Sequence, residues 1–203
     1  IYKTTGLVKD YVFENDGKDV KLIIRNDIRW DDGMPLTTRD IRFSYELYGD
    51  PEVASSRSNY VENMIFTDGV FDPSKSMTVV DDTTIIFHFT HQYPQQLFHL
   101  NLSPVPYHIY KNADRATLRS NSANERPIGA GPFRVNKWER GQEVELLRNK
   151  KCKLPYPSKL ERVISRVITE PTTRLTELKK GTVDVMWPIY PEDVGPIQEN
   201  HPD

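Results

Sequence analysis

The stretch from Trp30 to Tyr48 constrains this chain more than any other, because it dictates a turn, a helix start and a buried helix in immediate succession. Asp32-Gly33 followed by Pro35 is turn chemistry: glycine takes positive φ freely and proline fixes φ. Thr37-x-x-Asp40 predicts a helix N-terminus, with the Thr37 hydroxyl accepting a free backbone N–H and a carboxylate near the positive end of the dipole. Ile41, Ser44, Tyr45 and Tyr48 recur at helical spacing, and Phe43 and Leu47 widen the apolar arc. Arg39, Arg42 and Glu46 form the one polar stripe, Arg42 facing Glu46 a turn later. A helix so patterned is largely buried and is entered from a strand through a tight turn.

The segments around it read as short strands and turns. Leu7–Phe13 and Val20–Arg25 are strands of a β-meander, separated by a turn at Asn15-Asp16-Gly17. Gly49-Asp50-Pro51 stops the buried helix, and residues 52–60 are polar and loop-like. Met64–Phe66, Met77–Val80 and Thr83–Thr90 are further strand candidates. His88 shares a face with Thr84, Ile86 and Thr90 and reads as a partly buried structural histidine. Short helices are expected from Pro94 and over Ala113–Arg119, with Asn121–Glu125 exposed. Pro127–Phe133 holds Gly129 and Gly131, expected to adopt backbone conformations that side chains would block. A hairpin follows, Phe133–Trp138 and Gln142–Arg148 across Glu139-Arg140-Gly141. Leu160–Ile168 is a strand by β-branched content, Pro171 opens a helix that Lys179-Lys180-Gly181 closes, and Val183–Trp187 is a strand. Strand, helix and strand in that order form the β-α-β pattern of a parallel pair, and Pro191 begins a last helix.

Composition removes several function classes. The 203 residues suffice for a sizeable core. Lys plus Arg number 27 against 29 Asp plus Glu, and a net charge of -2 gives no field to attract nucleic acid or an anionic membrane. The 15 prolines and 10 glycines imply many turns rather than a helical bundle, and no apolar run reaches membrane-spanning length. The single cysteine, Cys152, excludes an internal disulfide and a cysteine-based zinc site. The five histidines are scattered, without an i,i+4 pair, so no metal site and no cofactor is expected.

The chemistry-bearing residues do not converge on catalysis. The serines and Cys152 lack a glycine-rich elbow. Asp31-Asp32 and Asp81-Asp82 are carboxylate pairs placed in turns, where turn use outweighs acid–base use. Asp184 reads as a hydrogen-bonded structural residue. Gly129-x-Gly131 lacks the third glycine and the following helix of a phosphate loop, and the basic run Arg148–Lys153 reads as a solvated loop. Binding is the remaining activity. Ten tyrosines and three tryptophans suit ligand clefts, being apolar with a polar tip. Ligands in α/β sheets sit beyond the carboxyl ends of parallel strands, which makes Trp187 and Tyr190 the candidate ligand-binding residues. The alternative places Trp187 in the core and leaves Tyr190 exposed.

Several of these motifs carry a family resemblance. A strand ending in arginine, then Trp30-x-Asp32-Gly33-x-Pro35-Leu36-Thr37-x-x-Asp40-Ile41-x-Phe43-Ser44-Tyr45, resembles the large extracellular solute-binding proteins that serve ABC importers of the oligopeptide, dipeptide and nickel type. Val79-Val80-Asp81-Asp82-x-Thr84-Ile85-x-Phe87 is similar to a second family pattern, and His108 matches the histidine of a third. Gly129-Ala130-Gly131-Pro132-Phe133 resembles the family's Gly-Thr-Gly-Pro-aromatic segment, with Ala130 in place of the threonine. After Arg148-Asn149 the family carries a Tyr-Trp pair, where this chain has Cys152 and Lys153. Gly181-Thr182-Val183-Asp184 matches the family's Gly-x-hydrophobic-Asp unit.

The resemblance implies an α/β fold of the type II periplasmic-binding-protein kind: a first lobe with an extra α+β subdomain and a mixed sheet, the second lobe missing. Residues 1–125 correspond to that α+β subdomain and 126–203 to part of the core first lobe, running toward the hinge. It further implies a non-enzymatic, monomeric substrate-binding component, located in the periplasm or outside the cell, free or lipid-anchored there. Its partners are a peptide or similar small ligand and ABC permease subunits. Family ligands include peptides, nickel chelates, sugars and opines. The chain starts at Ile1 with neither Met nor a leader and reads as a piece of a longer protein. Half a hinged container is then expected to fold but to bind solute weakly or not at all. A hydrolase on a mixed α/β sheet, or an interaction domain reusing the fold, are the alternatives.

Overall fold

The computed structural model describes residues 6–101, 103–155 and 158–200. Two compact units are distinguished: one from the residues up to Trp138 together with Glu145–Val163, the other from Glu139–Val144 and the residues from Ile164 onward.

The first unit is organised on a four-stranded sheet and one helix. Strand β1 (Val8–Glu14) turns through Asn15-Asp16-Gly17 into β2 (Asp19–Ile24). All three turn residues have positive φ, at 51°, 52° and 79°, a conformation that asparagine, aspartate and glycine tolerate better than other residues. Helix α1 (Thr38–Gly49) follows the Trp30 turn. Its N-terminus is a full capping box: Thr37 accepts the N3 backbone N–H, and Asp40 Oδ2 accepts the Thr37 amide at 2.8 Å. Strands β3 (Phe66–Thr67) and β4 (Val70–Phe71) form a small ribbon, and the turn-length α2 (Pro73–Ser76) leads into β5 (Met77–Val79) and β6 (Thr84–His88). The large sheet runs β1-β2-β6-β5, antiparallel throughout.

The period-2 pattern fixes which face is core. Val20, Leu22 and Ile24 of β2 and Ile85 and Phe87 of β6 are buried, and their neighbours are half-buried. Onto this face α1 lays Ile41, Tyr45 and Tyr48, closing a cluster with Ile28, Trp30 and Leu36. The opposite side of α1 is also covered: Phe43 and Leu47 form a second cluster with Tyr110. That double burial explains the wide apolar arc. Arg42 and Glu46 pair at 2.9 Å along the polar stripe.

Short helices α3 (Gln96–His99) and α4 (Tyr107–Tyr110) precede a three-stranded sheet of order β7-β8-β9, with β7 (Phe133–Glu139), β8 (Glu143–Arg148) and β9 (Arg162–Arg166). Helices α5 (Pro171–Lys179) and α6 (Pro191–Asn200) lie in the second unit. Gly181, at φ 69°, ends α5 as a C′ glycine, its N–H donating to Leu178 O at 2.9 Å.

Some local expectations are corrected. Pro94 does not open a helix; α3 begins at Gln96, whose N–H donates to Tyr93 O. Ala113–Arg119 forms turns and a 3-10 segment at Leu118–Ser120, too short in apolar periodicity to nucleate an α-helix. Asn121–Glu125 is partly buried, because the Asn124 side chain accepts the Tyr110 hydroxyl at 2.7 Å. Val183–Trp187 is not a strand, so the parallel pair expected around α5 does not form among the described residues. Val185 and Trp187 are 83% and 87% exposed, so the segment lacks the burial that would hold it against β9.

Candidate ligand cleft

In the first unit a largely apolar cleft of about 570 Å³ opens beside the Trp30 turn. The turn is built from local bonds. Trp30 N–H donates to Met34 O and Gly33 N–H to Trp30 O, both at 2.9 Å, while Gly33 takes φ 96°. Leu36 N–H donates to Ile28 O, so Ile28, Trp30 and Leu36 present one apolar wall. Leu100 and Pro104 supply another side. The third side is Ile128–Gly131, tied to the turn by the Asp31 amide donating to Gly129 O at 2.9 Å. The residues lining this cleft carry no ionisable side chain.

Gly129 and Gly131 depart from expectation. Neither has φ in the left-handed region, and a Cβ at Gly131 would meet nothing within 4 Å. Backbone strain therefore does not account for them; they leave the backbone open along the cleft. Trp30 is 2% exposed, and its Nε1 is buried without a hydrogen-bond partner among the described residues. A buried donor left unpaired costs about 1–3 kcal/mol.

Outside the turn lies a charged cleft of about 600 Å³ lined by Asp31, Asp32, Arg134 and Arg148–Lys151. Asp32 accepts the Met34 amide at 2.9 Å and meets His108 Nε2 at 2.7 Å, which fixes the turn to α4. Partial burial raises the Asp32 carboxyl, but the Met34 amide and His108 outweigh it and hold it below the usual carboxylate range. Asp31 is raised, first by burial and then by the adjacent Asp32 charge. Much of the basic run is committed to structure: Arg148 pairs with Glu161, and Lys151 Nζ donates to Asp31 O at 3.1 Å. Cys152 is partly buried and free.

The remaining sequence candidates are dispersed. His88 is partly buried, its Nδ1 2.8 Å from Asp19 Oδ1 and its Nε2 2.8 Å from Thr78 Oγ1. Folding alone brings these three residues together from three strands, and none of them lines either cleft. Among the described residues no cluster of three or more His, Cys, Asp or Glu could hold a metal, and no helix is long and apolar enough to cross a membrane. Trp187 and Tyr190, in the second unit, are 87% and 41% exposed, so Trp187 is not a core residue of that unit. The apolar cleft escapes sequence reading because its walls come from separate segments; only the Trp30 and Gly129–Gly131 motifs mark two of them.

The comparisons with known proteins agree on the family. The oligopeptide-binding protein AppA of Bacillus subtilis is 27% identical over 171 residues, 82% of this chain and 29% of that protein. The structure of NikZ from Campylobacter jejuni in complex with Ni(L-His) superposes with a TM-score of 0.75 at 28% identity, covering 87% of this chain and 33% of that one. For fold alone, Haemophilus influenzae OppA in complex with RPPGFSPFR gives a TM-score of 0.79 at 19% identity, over 96% of this chain and 39% of that one. The chain thus spans between 29% and 39% of the length of these three proteins. Residues 4–202 match the bacterial extracellular solute-binding proteins, family 5 (Middle), and the chain belongs to that family.

Proposed function

We propose that this chain is one portion of the substrate-binding component of an ABC importer, which captures peptides or similar small solutes outside the cytoplasmic membrane and changes none of them. The observation that carries this reading is the cleft of about 570 Å³ beside the family's Trp-x-Asp-Gly turn, walled by apolar side chains and open glycine backbone. Such a surface gives an extended solute contact area and backbone access without chemistry.

On this reading residues 1–125 are the α+β subdomain and 126–203 part of the core first lobe, which the confinement of the four-stranded sheet to the former supports. Trp187 and Tyr190 contact solute from the hinge side; an indole 87% exposed is suited to that use. The protein works as a monomer at the cell exterior, free in the periplasm or lipid-anchored, and delivers its cargo to permease subunits. Calorimetry with a mixed oligopeptide library tests the proposal. The isolated 203-residue chain should bind weakly, and the complete gene product tightly, with Trp187→Ala weakening it. Tight binding by the isolated chain, or no binding by the complete protein, overturns the proposal.

A hydrolase reading would rest on Thr78, His88 and Asp19, spaced as hydroxyl, base and orienting carboxylate. Ester and peptide turnover that disappears in His88→Gln would establish it and displace the binding reading.

A further inference from the structure

The charged cleft beside the Trp30 turn holds more positive charge than the fold neutralises. One wall is the Asp31-Asp32 turn; the other is Arg134 on β7 and the segment Arg148–Lys151, where β8 ends. The walls are fastened by bonds that do not use the free cations. Asn149, 5% exposed, donates its N–H to Pro132 O at 2.8 Å and its Nδ2 to Gly131 O at 3.0 Å, and its Oδ1 accepts the Lys151 amide at 3.0 Å. Lys151 Nζ reaches across to Asp31 O. The cleft is therefore preorganised, which lowers the ordering cost of binding. Some of its charges are already neutralised: Arg148 pairs with Glu161, and Asp32 is held by the Met34 amide and His108. The side chains of Arg134 and Lys150 make no hydrogen bond or ion pair among the described residues, Arg134 acting on Asp31 through its charge alone. Lys151 Nζ gives one of its three donors to a neutral carbonyl and keeps the others. Three cations thus face one uncommitted carboxylate, that of Asp31. The lining residues include no aromatic side chain, so nothing there stacks on a nucleobase.

We propose that this cleft binds a small soluble anion carrying phosphoryl groups, held by the Arg134 guanidinium and the Lys150 and Lys151 ammonium groups. A phosphoryl group brings about 1.5 to 2 charges and three acceptor oxygens to one point, which suits a guanidinium fork flanked by two ammonium groups. A carboxylate brings one charge and two oxygens, too few for three cations. A cleft of about 600 Å³ has room for pyrophosphate or a phosphorylated solute rather than one phosphate alone. The inference does not rest on the importer reading, since it uses a different cleft and no peptide.

Calorimetric titration of the complete gene product with sodium pyrophosphate, at neutral pH and low salt, tests it. Arg134→Gln and Lys150→Gln should each weaken binding about tenfold, the loss of one charge-assisted contact. Lys111→Gln, at an exposed lysine outside the cleft, should leave the affinity unchanged. Arg134 and Lys150 are also exposed, so without ligand the variants should melt with the parent. Pyrophosphate should then raise Tm more in the parent and in Lys111→Gln than in the two cleft variants. No saturable binding, an equal loss in Lys111→Gln, or citrate bound as tightly as pyrophosphate overturns the proposal. So does attachment to phosphatidylglycerol vesicles without binding of soluble pyrophosphate. Oligopeptide binding enters none of these readouts, so its failure leaves this result standing.

Discussion

The carboxylate of Asp40 accepts the backbone amide of Tyr107 at 2.9 Å while its other oxygen caps α1. One side chain, 4% exposed, thus starts the organising helix and fixes the beginning of α4 to it. Asp40→Ala should cost about 2–4 kcal/mol, the loss of a cap plus an unpaired buried amide. Asp40→Asn keeps one acceptor and should cost roughly half as much. Urea unfolding of the two variants measures the difference.

Asp32, which accepts the Met34 amide and meets His108, makes the Trp30 turn acid-sensitive. The folded Asp32 carboxyl lies below its ordinary 3.8, so its contribution is complete above that pH and is lost as pH falls through the folded value. Asp32→Asn should lower stability at neutral pH by about 1 kcal/mol and flatten the acid limb of the stability profile. Thermal melts between neutral pH and the acid range read both effects.

Tyr45 predicts the alkaline limb. Its hydroxyl donates to His99 O at 2.7 Å inside the core, and burial holds it well above its ordinary 10.0. Burial likewise pushes Tyr93 up to about 12. The folded state therefore holds these protons longer than the unfolded chain, and stability is complete below pH 10.0 and falls as pH rises above it. Tyr45→Phe should cost about 1–3 kcal/mol at neutral pH, for the unpaired His99 carbonyl, and should reduce the alkaline loss. Denaturant melts at stepped alkaline pH measure both.

Two glycines should respond oppositely to a methyl group. A Cβ at Gly49 would lie 2.1 Å from Phe71 Cδ1, and Phe71 is buried with little room to move. Gly49→Ala should destabilise by about 1–3 kcal/mol. Gly131→Ala meets open space at ordinary φ and should leave stability within about 0.5 kcal/mol of the parent. Because Gly131 lines the apolar cleft, the same methyl should alter solute affinity in the complete protein. Paired unfolding and calorimetric titrations separate the two effects.

The legible parts of the fold are those where adjacent residues supply the whole signal. Thr37 and Asp40 cap α1 as their spacing requires, Arg42 meets Glu46, and the alternation in Val20–Ile24 and Thr84–His88 places the buried face correctly. The failures have particular causes. Gly129 and Gly131 suggested strained backbone, but their φ values are ordinary. Val183–Trp187 has strand composition, but composition supplies no partner.

Local order, the buried faces and the family are thus determined by sequence, because capping, turn chemistry and periodicity act between residues a few positions apart. Tertiary structure alone decided that Asp40 reaches Tyr107, that Asp32 meets His108, and that Trp30 shares a cleft with Pro104 and Gly131. Those contacts join residues far apart in the chain, and only the folding of the sheet, α1 and the Gly129–Gly131 segment brings them within hydrogen-bonding or packing distance.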